Sequence, residues 1–229
     1  MKKVLIITGG RTDTNFIAEV HKEYAPDVII AADRGIMATN ELNIIPDYVV
    51  GDFDSGDIEV VEYFKSQFET YGKPIVKTFN PEKDETDTEL AISLALSLNT
   101  KEIVILGATG TRLDHTIANI ELLYKIMESG INAKIMDEYN VISIHDKEIV
   151  LKKEKTFGKY FSLLPFTENI KGLNIKGAKY EVKNYVLSSG SSLGISNEFD
   201  KDKVEISFNG GIIILFQTDD ERLVIKGKM

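Results

Sequence analysis

Apolar and polar positions along this chain follow two rhythms. Up to residue 145, β-branched runs at Val4–Thr8, Val28–Ala32, Tyr48–Val50, Pro74–Lys77, Ile103–Leu106 and Ala133–Met136 alternate with segments of helical spacing. Runs that are continuously apolar suit parallel strands covered on both faces. Between them, Phe16, Ile17, Val20 and Tyr24 share one helix face, as do Leu90, Leu94 and Leu98. Leu113, Ile117, Ile120, Tyr124 and Met127 repeat the pattern. Strands alternating with helices make βαβ units, and these close a parallel sheet through right-handed crossovers.

From residue 146 onward the helical spacing stops. Strand-like runs follow one another at Glu148–Leu151, Lys159–Leu164, Leu173–Lys176, Tyr180–Tyr185, Lys203–Phe208, Gly211–Phe216 and Leu223–Lys226. Turn signals separate them, and Asn209-Gly210 is the strongest hairpin signal because both residues tolerate positive φ. The pattern predicts two domains. Residues 1–145 form an α/β domain with a largely parallel sheet, and residues 146–229 an all-β sandwich or small barrel.

Composition narrows the chemistry. With 229 residues, 43% of them hydrophobic, the chain can fill two cores. A net charge of −9 repels phosphate backbones, so nucleic acid is not an expected partner. A phosphorylated small molecule stays compatible where Mg²⁺ bridges it to acids. The lack of cysteine excludes disulfides and thiolate metal sites and accords with a reducing cytoplasm. No run approaches the roughly 18 apolar residues of a membrane span, so no membrane partner is expected. Val4–Ile7, ending in Thr8-Gly9-Gly10-Arg11, reads as a first strand entering a glycine turn rather than as a signal peptide.

Ligands on open parallel sheets bind beyond the carboxyl ends of the strands. After the third run stands Gly51-Asp52-Phe53-Asp54-Ser55-Gly56-Asp57. Acids this close raise one another's pKa and call for a positive partner. Extended alternation places Asp52 and Asp54 on one side and Phe53 on the other, which suits a hard cation such as Mg²⁺. A polar turn is the bland alternative. Asp57, past Gly56, reads as a helix-start acid. Thr86-Asp87-Thr88-Glu89 has the form of a capping box, with Thr86 as N-cap and Glu89 reaching back, and such a helix start can complement the helix dipole and also offer Asp87 to a metal. The loop Gly107-Ala108-Thr109-Gly110 aims backbone N–H groups at an anion without the spacing of a P-loop. Arg112 reads either as a phosphate clamp or as the partner of Asp114. His115 and Asn119, four apart, share a helix face beside that loop. Jointly these residues describe a Mg²⁺-dependent polyphosphate site at the rim of a parallel sheet.

Four motifs in order, Ala32-Asp33-Arg34-Gly35, Gly51-Asp52-Phe53-Asp54-Ser55, Lys83-Asp84-x-Thr86-Asp87 and Gly107-Ala108-Thr109-Gly110-x-Arg112-Leu113-Asp114-His115, closely resemble those of the thiamine pyrophosphokinase family. The stretch from Ser188 through Ser191, Ser196 and Asn197 to Glu198 resembles that family's second signature, so the likeness spans almost the whole chain. The resemblance implies transfer of a pyrophosphoryl group from ATP to the hydroxyl of thiamine, with AMP leaving. It implies Mg²⁺ on Asp52, Asp54 and Asp87, with Asp33 beside them. ATP would lie on Thr86, Thr109, Gly110, Arg112, Asp114 and His115, and thiamine near Ser191, Ser196 and Asn197. It also implies a homodimer with a shared thiamine site. Thr111 stands where the family commonly has a second glycine. The chain also lacks the tryptophan that some relatives set against thiamine, for which Phe199 or a tyrosine is the available replacement. Two rival readings are a Mg²⁺-dependent phosphatase with an Asp-x-Asp motif and a non-catalytic thiamine or nucleotide sensor.

Overall fold

A computed structural model of the chain describes residues 1–51, 58–78 and 84–229. Asp52, Asp54, Asp57 and Lys83 therefore lie outside the described residues. The chain divides into two units, Met1–Asp137 and Glu138–Met229.

Among the described residues, six strands build the sheet of the first unit: β1 (Lys2–Ile7), β2 (Val28–Ala32), β3 (Tyr48–Gly51), β4 (Ile75–Thr78), β5 (Thr100–Leu106) and β6 (Asn132–Met136). Their order is β4-β3-β2-β1-β5-β6, and every pairing is parallel. Val4 to Ile7 and Ile103 to Leu106 are at most 1% exposed, as the continuous apolar runs require. Each such side chain contributes about 1.5–3 kcal/mol by burial. β4 departs from the expected buried strand. It is the edge, Ile75 is 45% exposed, and Pro74 precedes it where a missing N–H does no harm.

Among the described residues, five helices surround this sheet: α1 (Thr14–Tyr24), α2 (Gly35–Glu41), α3 (Ile58–Tyr71), α4 (Asp87–Leu96) and α5 (Leu113–Glu128). On α1 the four residues read from spacing are all buried, and Asp13 caps the helix by accepting from Phe16 N at 3.0 Å. The other two helices bury different faces from those expected. α4 buries Thr88, Ala91, Ile92 and Ala95 rather than Leu90, Leu94 and Leu98. It carries the chain from edge strand β4 back to β5 and packs on β1, β2, β3 and β5, where small side chains permit close approach. α5 packs on β6 through Leu123 and Ile126, leaving Leu113 and Ile117 exposed.

The second unit holds β7 (Asn140–His145), β8 (Ile149–Lys152), β9 (Tyr160–Pro165), β10 (Asn169–Lys176), β11 (Val182–Ser188), β12 (Asn197–Glu198), β13 (Lys203–Ser207) and β14 (Ile213–Thr218). Antiparallel strands run β12-β9-β14-β7 in one layer and β11-β10-β13-β8 in the other. Alternate residues point inward: Ile149 and Leu151, Phe161 and Leu163, Val204 and Ile206, Ile213 and Leu215. This is a sandwich.

The two compact units meet at 137/138, and β7 pairs with β14 along its whole length. Two expectations change here. Asn209-Gly210 does not close a hairpin: β13 and β14 lie in different layers, and the turn instead bonds β10 through Lys171 N to Gly210 O (3.0 Å) and Asn209 N to Lys171 O (2.8 Å). Leu223–Lys226 is not a strand, although Leu223 and Ile225 are buried and Leu223 N donates to Glu138 O at 2.7 Å.

Candidate active site

Strand order decides where this sheet can bind. From β1 the chain builds outward through β2 and β3 on one side, while β5 and β6 continue on the other. The connections leaving β1 and β5 therefore diverge, which opens a crevice at their carboxyl ends. A cavity of about 730 Å³ lies there. Its lining comes from Thr8 to Arg11 after β1, Asp33 and Arg34 after β2, Thr88 of α4, Gly107 to Arg112 after β5, and His115, Thr116 and Asn119 of α5.

Glycine makes this floor possible. Gly10 N donates to Gly107 O at 2.7 Å, and a Cβ on Gly10 would stand 2.1 Å from that oxygen and 2.3 Å from Thr109 O. Gly107 itself has φ +71, the left-handed region that glycine enters without a steric penalty. Next to it, the Asp33 carboxylate leans over Gly9, where a Cβ would meet Asp33 Oδ2 at 2.1 Å. Asp33 also has φ +49, a conformation uncommon outside glycine and more accessible to Asp and Asn. Two bonds hold it there: Asp33 N donates to Val50 O at 3.0 Å, and Asp33 O accepts from Ile36 N at 3.2 Å. The strand ends thus fix an acid in a strained position at the cavity wall.

Side-chain bonds tie the remaining loops together. The buried hydroxyls of Thr8 and Thr88 lie 2.8 Å apart and fasten the start of α4 to the end of β1. Thr86 caps α4 as its sequence indicates, accepting from Glu89 N at 3.2 Å. The other half of the expected box is absent from this arrangement, since the Glu89 carboxylate takes Lys125 Nζ at 3.0 Å. Thr109 Oγ1 donates to the buried Asp137 at 2.8 Å, and Asn119 Nδ2 donates to Ala108 O at 2.8 Å. Both bonds set the glycine loop against its neighbours.

Arg112 and Asp114 pair at 2.6 Å. The hydrogen bond from Arg112 holds the Asp114 carboxyl below its ordinary pKa, and Asp114 raises that of Arg112. Both side chains are well exposed, so solvent screens the pair and an incoming anion can compete for the guanidinium.

Of the residues expected to hold nucleotide, Thr109, Gly110, Arg112 and His115 line one cavity together with Asp33. Thr86, Asp87 and Asp114 stand at helix starts and do not form the lining, although Thr88, one residue beyond Asp87, does. The substituted Thr111 lines it too. Missed from sequence were Thr8, Gly9, Gly10, Arg11 and Thr88, with Asp137 behind the loop. The signal was present in Thr8-Gly9-Gly10-Arg11, which follows a strand just as Gly107 does, but only strand order makes β1 and β5 neighbours.

The expected thiamine residues belong to the second unit. Ser196 is exposed with φ +55, and its N donates to Ser162 Oγ at 2.9 Å. Ser191 Oγ accepts from Leu193 N at 3.3 Å. Asn197 is 5% exposed, and its amide is committed to the fold. Oδ1 accepts from Tyr180 N and Glu198 N, and Nδ2 donates to Tyr180 O at 2.8 Å. Phe199 packs edge-on against Phe161 in the core.

For Mg²⁺ the donor chemistry fits. Asp33 and Asp87 offer hard oxygen at or beside the cavity, with no competing thiolate, although no group of three metal-capable side chains occurs among the described residues. None of the described helices is long and apolar enough to cross a membrane.

An α/β unit with a glycine-lined cavity at its switch point, joined to a β-sandwich, is an architecture that accommodates a group-transfer enzyme. The family model for "Thiamin pyrophosphokinase, catalytic domain" matches residues 21–135, and that for "Thiamin pyrophosphokinase, vitamin B1 binding domain" matches 146–213. A thiamine pyrophosphokinase of Bacillus subtilis (strain 168) is 33% identical over 222 residues, covering 96% of this chain and 100% of its own. The crystal structure of a thiamine pyrophosphokinase from B. subtilis aligns with TM-score 0.82 at 31% identity, covering 96% of this chain and 100% of that one. That of a thiamin pyrophosphokinase from Geobacillus thermodenitrificans aligns at 0.77 and 28%, covering 99% and 100%. The chain belongs to the thiamine pyrophosphokinase family. Its activity is thiamine diphosphokinase activity, and neither the phosphatase nor the sensor reading is favoured.

Proposed function

We propose that the cavity at the β1/β5 switch point binds ATP as its Mg²⁺ complex and that thiamine attacks there. The hydroxyl oxygen of thiamine bonds to the β-phosphorus of ATP, the bond from that phosphorus to the α,β-bridging oxygen breaks, and AMP leaves with that oxygen. The observation that carries this reading is the close packing of Gly9, Gly10 and Gly107 into one cavity floor beside Asp33. Reactions of this kind depend mainly on positioning and charge neutralisation.

Asp52, Asp54 and Asp87 would hold Mg²⁺, which neutralises charge on the phosphates when bound. Backbone N–H groups of the glycine loop and the Arg112 guanidinium bind phosphate oxygens. Asp33, fixed over Gly9, orients the attacking hydroxyl and is placed to accept its proton. Ser191 and Ser196 lie on the loop that receives thiamine, while Asn197 shapes that loop from within. A cytoplasmic homodimer sharing its thiamine sites completes the reading.

Incubation with thiamine, ATP and Mg²⁺ tests it. AMP and thiamine diphosphate should appear in equal amounts, and neither without thiamine. Phosphate released without thiamine would refute the proposal, as would a normal rate in Asp54→Asn.

A further inference from the structure

The cavity carries more positive charge than the reading above employs. Three arginines, Arg11, Arg34 and Arg112, line it against one carboxylate, Asp33, among the described residues. Arg112 is occupied by Asp114. Arg11 and Arg34 form no ion pair with any described residue. In a chain with 36 acids and 27 bases, two arginines in one cavity without an acid partner among the described residues run against composition. Acids are plentiful enough that most bases could find one.

Backbone geometry brings the two together. Arg11 follows Gly10, which is pressed against the β5 loop, and Arg11 N donates to Thr109 O at 3.1 Å. Arg34 precedes α2, and the next residue, Gly35, sits so close on the end of β1 that a Cβ there would be 2.0 Å from Ile7 O. Both arginines thus project from adjacent strand ends, β1 and β2, on short, anchored turns. Their guanidinium groups stay charged at any working pH and match the oxygens of a phosphate in bidentate fashion.

We propose that Arg11 and Arg34 form a direct, metal-independent binding arm for a phosphate group of the nucleotide. The inference rests on the proposed function for the identity of the incoming molecule, and on the cavity alone for its anionic character. Carboxylates reach a polyphosphate only through a cation, whereas these guanidiniums bind its oxygens without one. The site therefore holds polyphosphate from two sides by two kinds of contact, and Mg²⁺ removal leaves one of them.

Calorimetric titration of the full chain with inorganic pyrophosphate in excess EDTA tests this. Wild type should bind, and Arg11→Ala and Arg34→Ala should each weaken binding at least tenfold. The two Arg→Lys variants should recover part of the loss. In turnover, the alanine variants should raise KM for ATP while leaving KM for thiamine unchanged. Absence of pyrophosphate binding by wild type in EDTA would overturn the inference, as would wild-type affinity in the Arg11→Ala/Arg34→Ala double variant. Arginine-dependent binding without any AMP formation from thiamine and ATP would sink the proposed function and leave this inference standing. AMP formation with indifferent arginine variants would do the reverse.

Discussion

Replacing Gly10 by alanine adds one methyl group where the cavity floor is walled by backbone on two sides. The new Cβ would lie 2.1 Å from Gly107 O, against an ordinary contact of 3.4 Å, so one loop must retreat by the difference, 1.3 Å. Both obstructing atoms are backbone oxygens, which have no rotamer to escape into. The hydrogen bond from Gly10 N to Gly107 O would stretch beyond use, at a cost of about 0.5–1.5 kcal/mol in stability. Displacements near 1 Å at a positioning site cost about 100-fold in rate. That corresponds to about 2.7 kcal/mol of lost transition-state stabilisation. Gly10→Ala should therefore lower kcat/KM about 100-fold while the protein still folds. Gly210→Ala is the matched control, because a Cβ there meets nothing within 4 Å. AMP release measured with thiamine, ATP and Mg²⁺, beside denaturant unfolding, separates the two effects. Activity within threefold of wild type in Gly10→Ala, with unchanged stability, would refute the packing argument.

Three further outcomes are expected. Thr88→Val should destabilise by about 1–3 kcal/mol by stranding the buried Thr8 hydroxyl, and the Thr8→Val/Thr88→Val double variant should recover most of that loss in denaturant unfolding. Asn197→Ala should lower stability by a similar amount, about 1–3 kcal/mol, because Tyr180 N and O lose their partners, whereas Ser196→Ala should raise KM for thiamine without a change in the unfolding midpoint. Burial lowers the pKa of His145 from 6.5, so the unfolded chain takes up its proton first as pH falls. Stability is then fully present above pH 6.5 and declines below it. His21 shifts the same way, so His145→Gln should remove only part of the slope in unfolding free energy between pH 7 and 5.5; an unchanged slope would contradict the assignment.

Part of the candidate cavity was legible because its turn chemistry is local. Asp33, Thr109, Gly110, Arg112 and His115 follow apolar runs at strand ends, and they share one cavity. The residues that escaped notice show what pattern alone does not carry. Thr8 through Arg11 follow a strand as visibly as Gly107 does, yet nothing in the spacing makes β1 the neighbour of β5. Helix faces misled for a related reason. Leu90, Leu94 and Leu98 form the most apolar stripe near α4, but a helix that must pass close beneath several strands buries its small side instead. On α5 the stripe from Leu113 to Tyr124 stays largely at the surface, because contact with β6 selects Leu123 and Ile126.

By itself the sequence determined the order of elements, the change from α/β to β, and the acids and glycines that follow each strand. Each of these depends on residues a few positions apart, through alternation, helical spacing and turn chemistry. Tertiary structure decided which strand ends adjoin, and with that which loops share a floor. It also decided that Asn209-Gly210 links two layers and not two paired strands. Those choices are made by contacts between distant segments, where burial of whole faces outweighs any local preference.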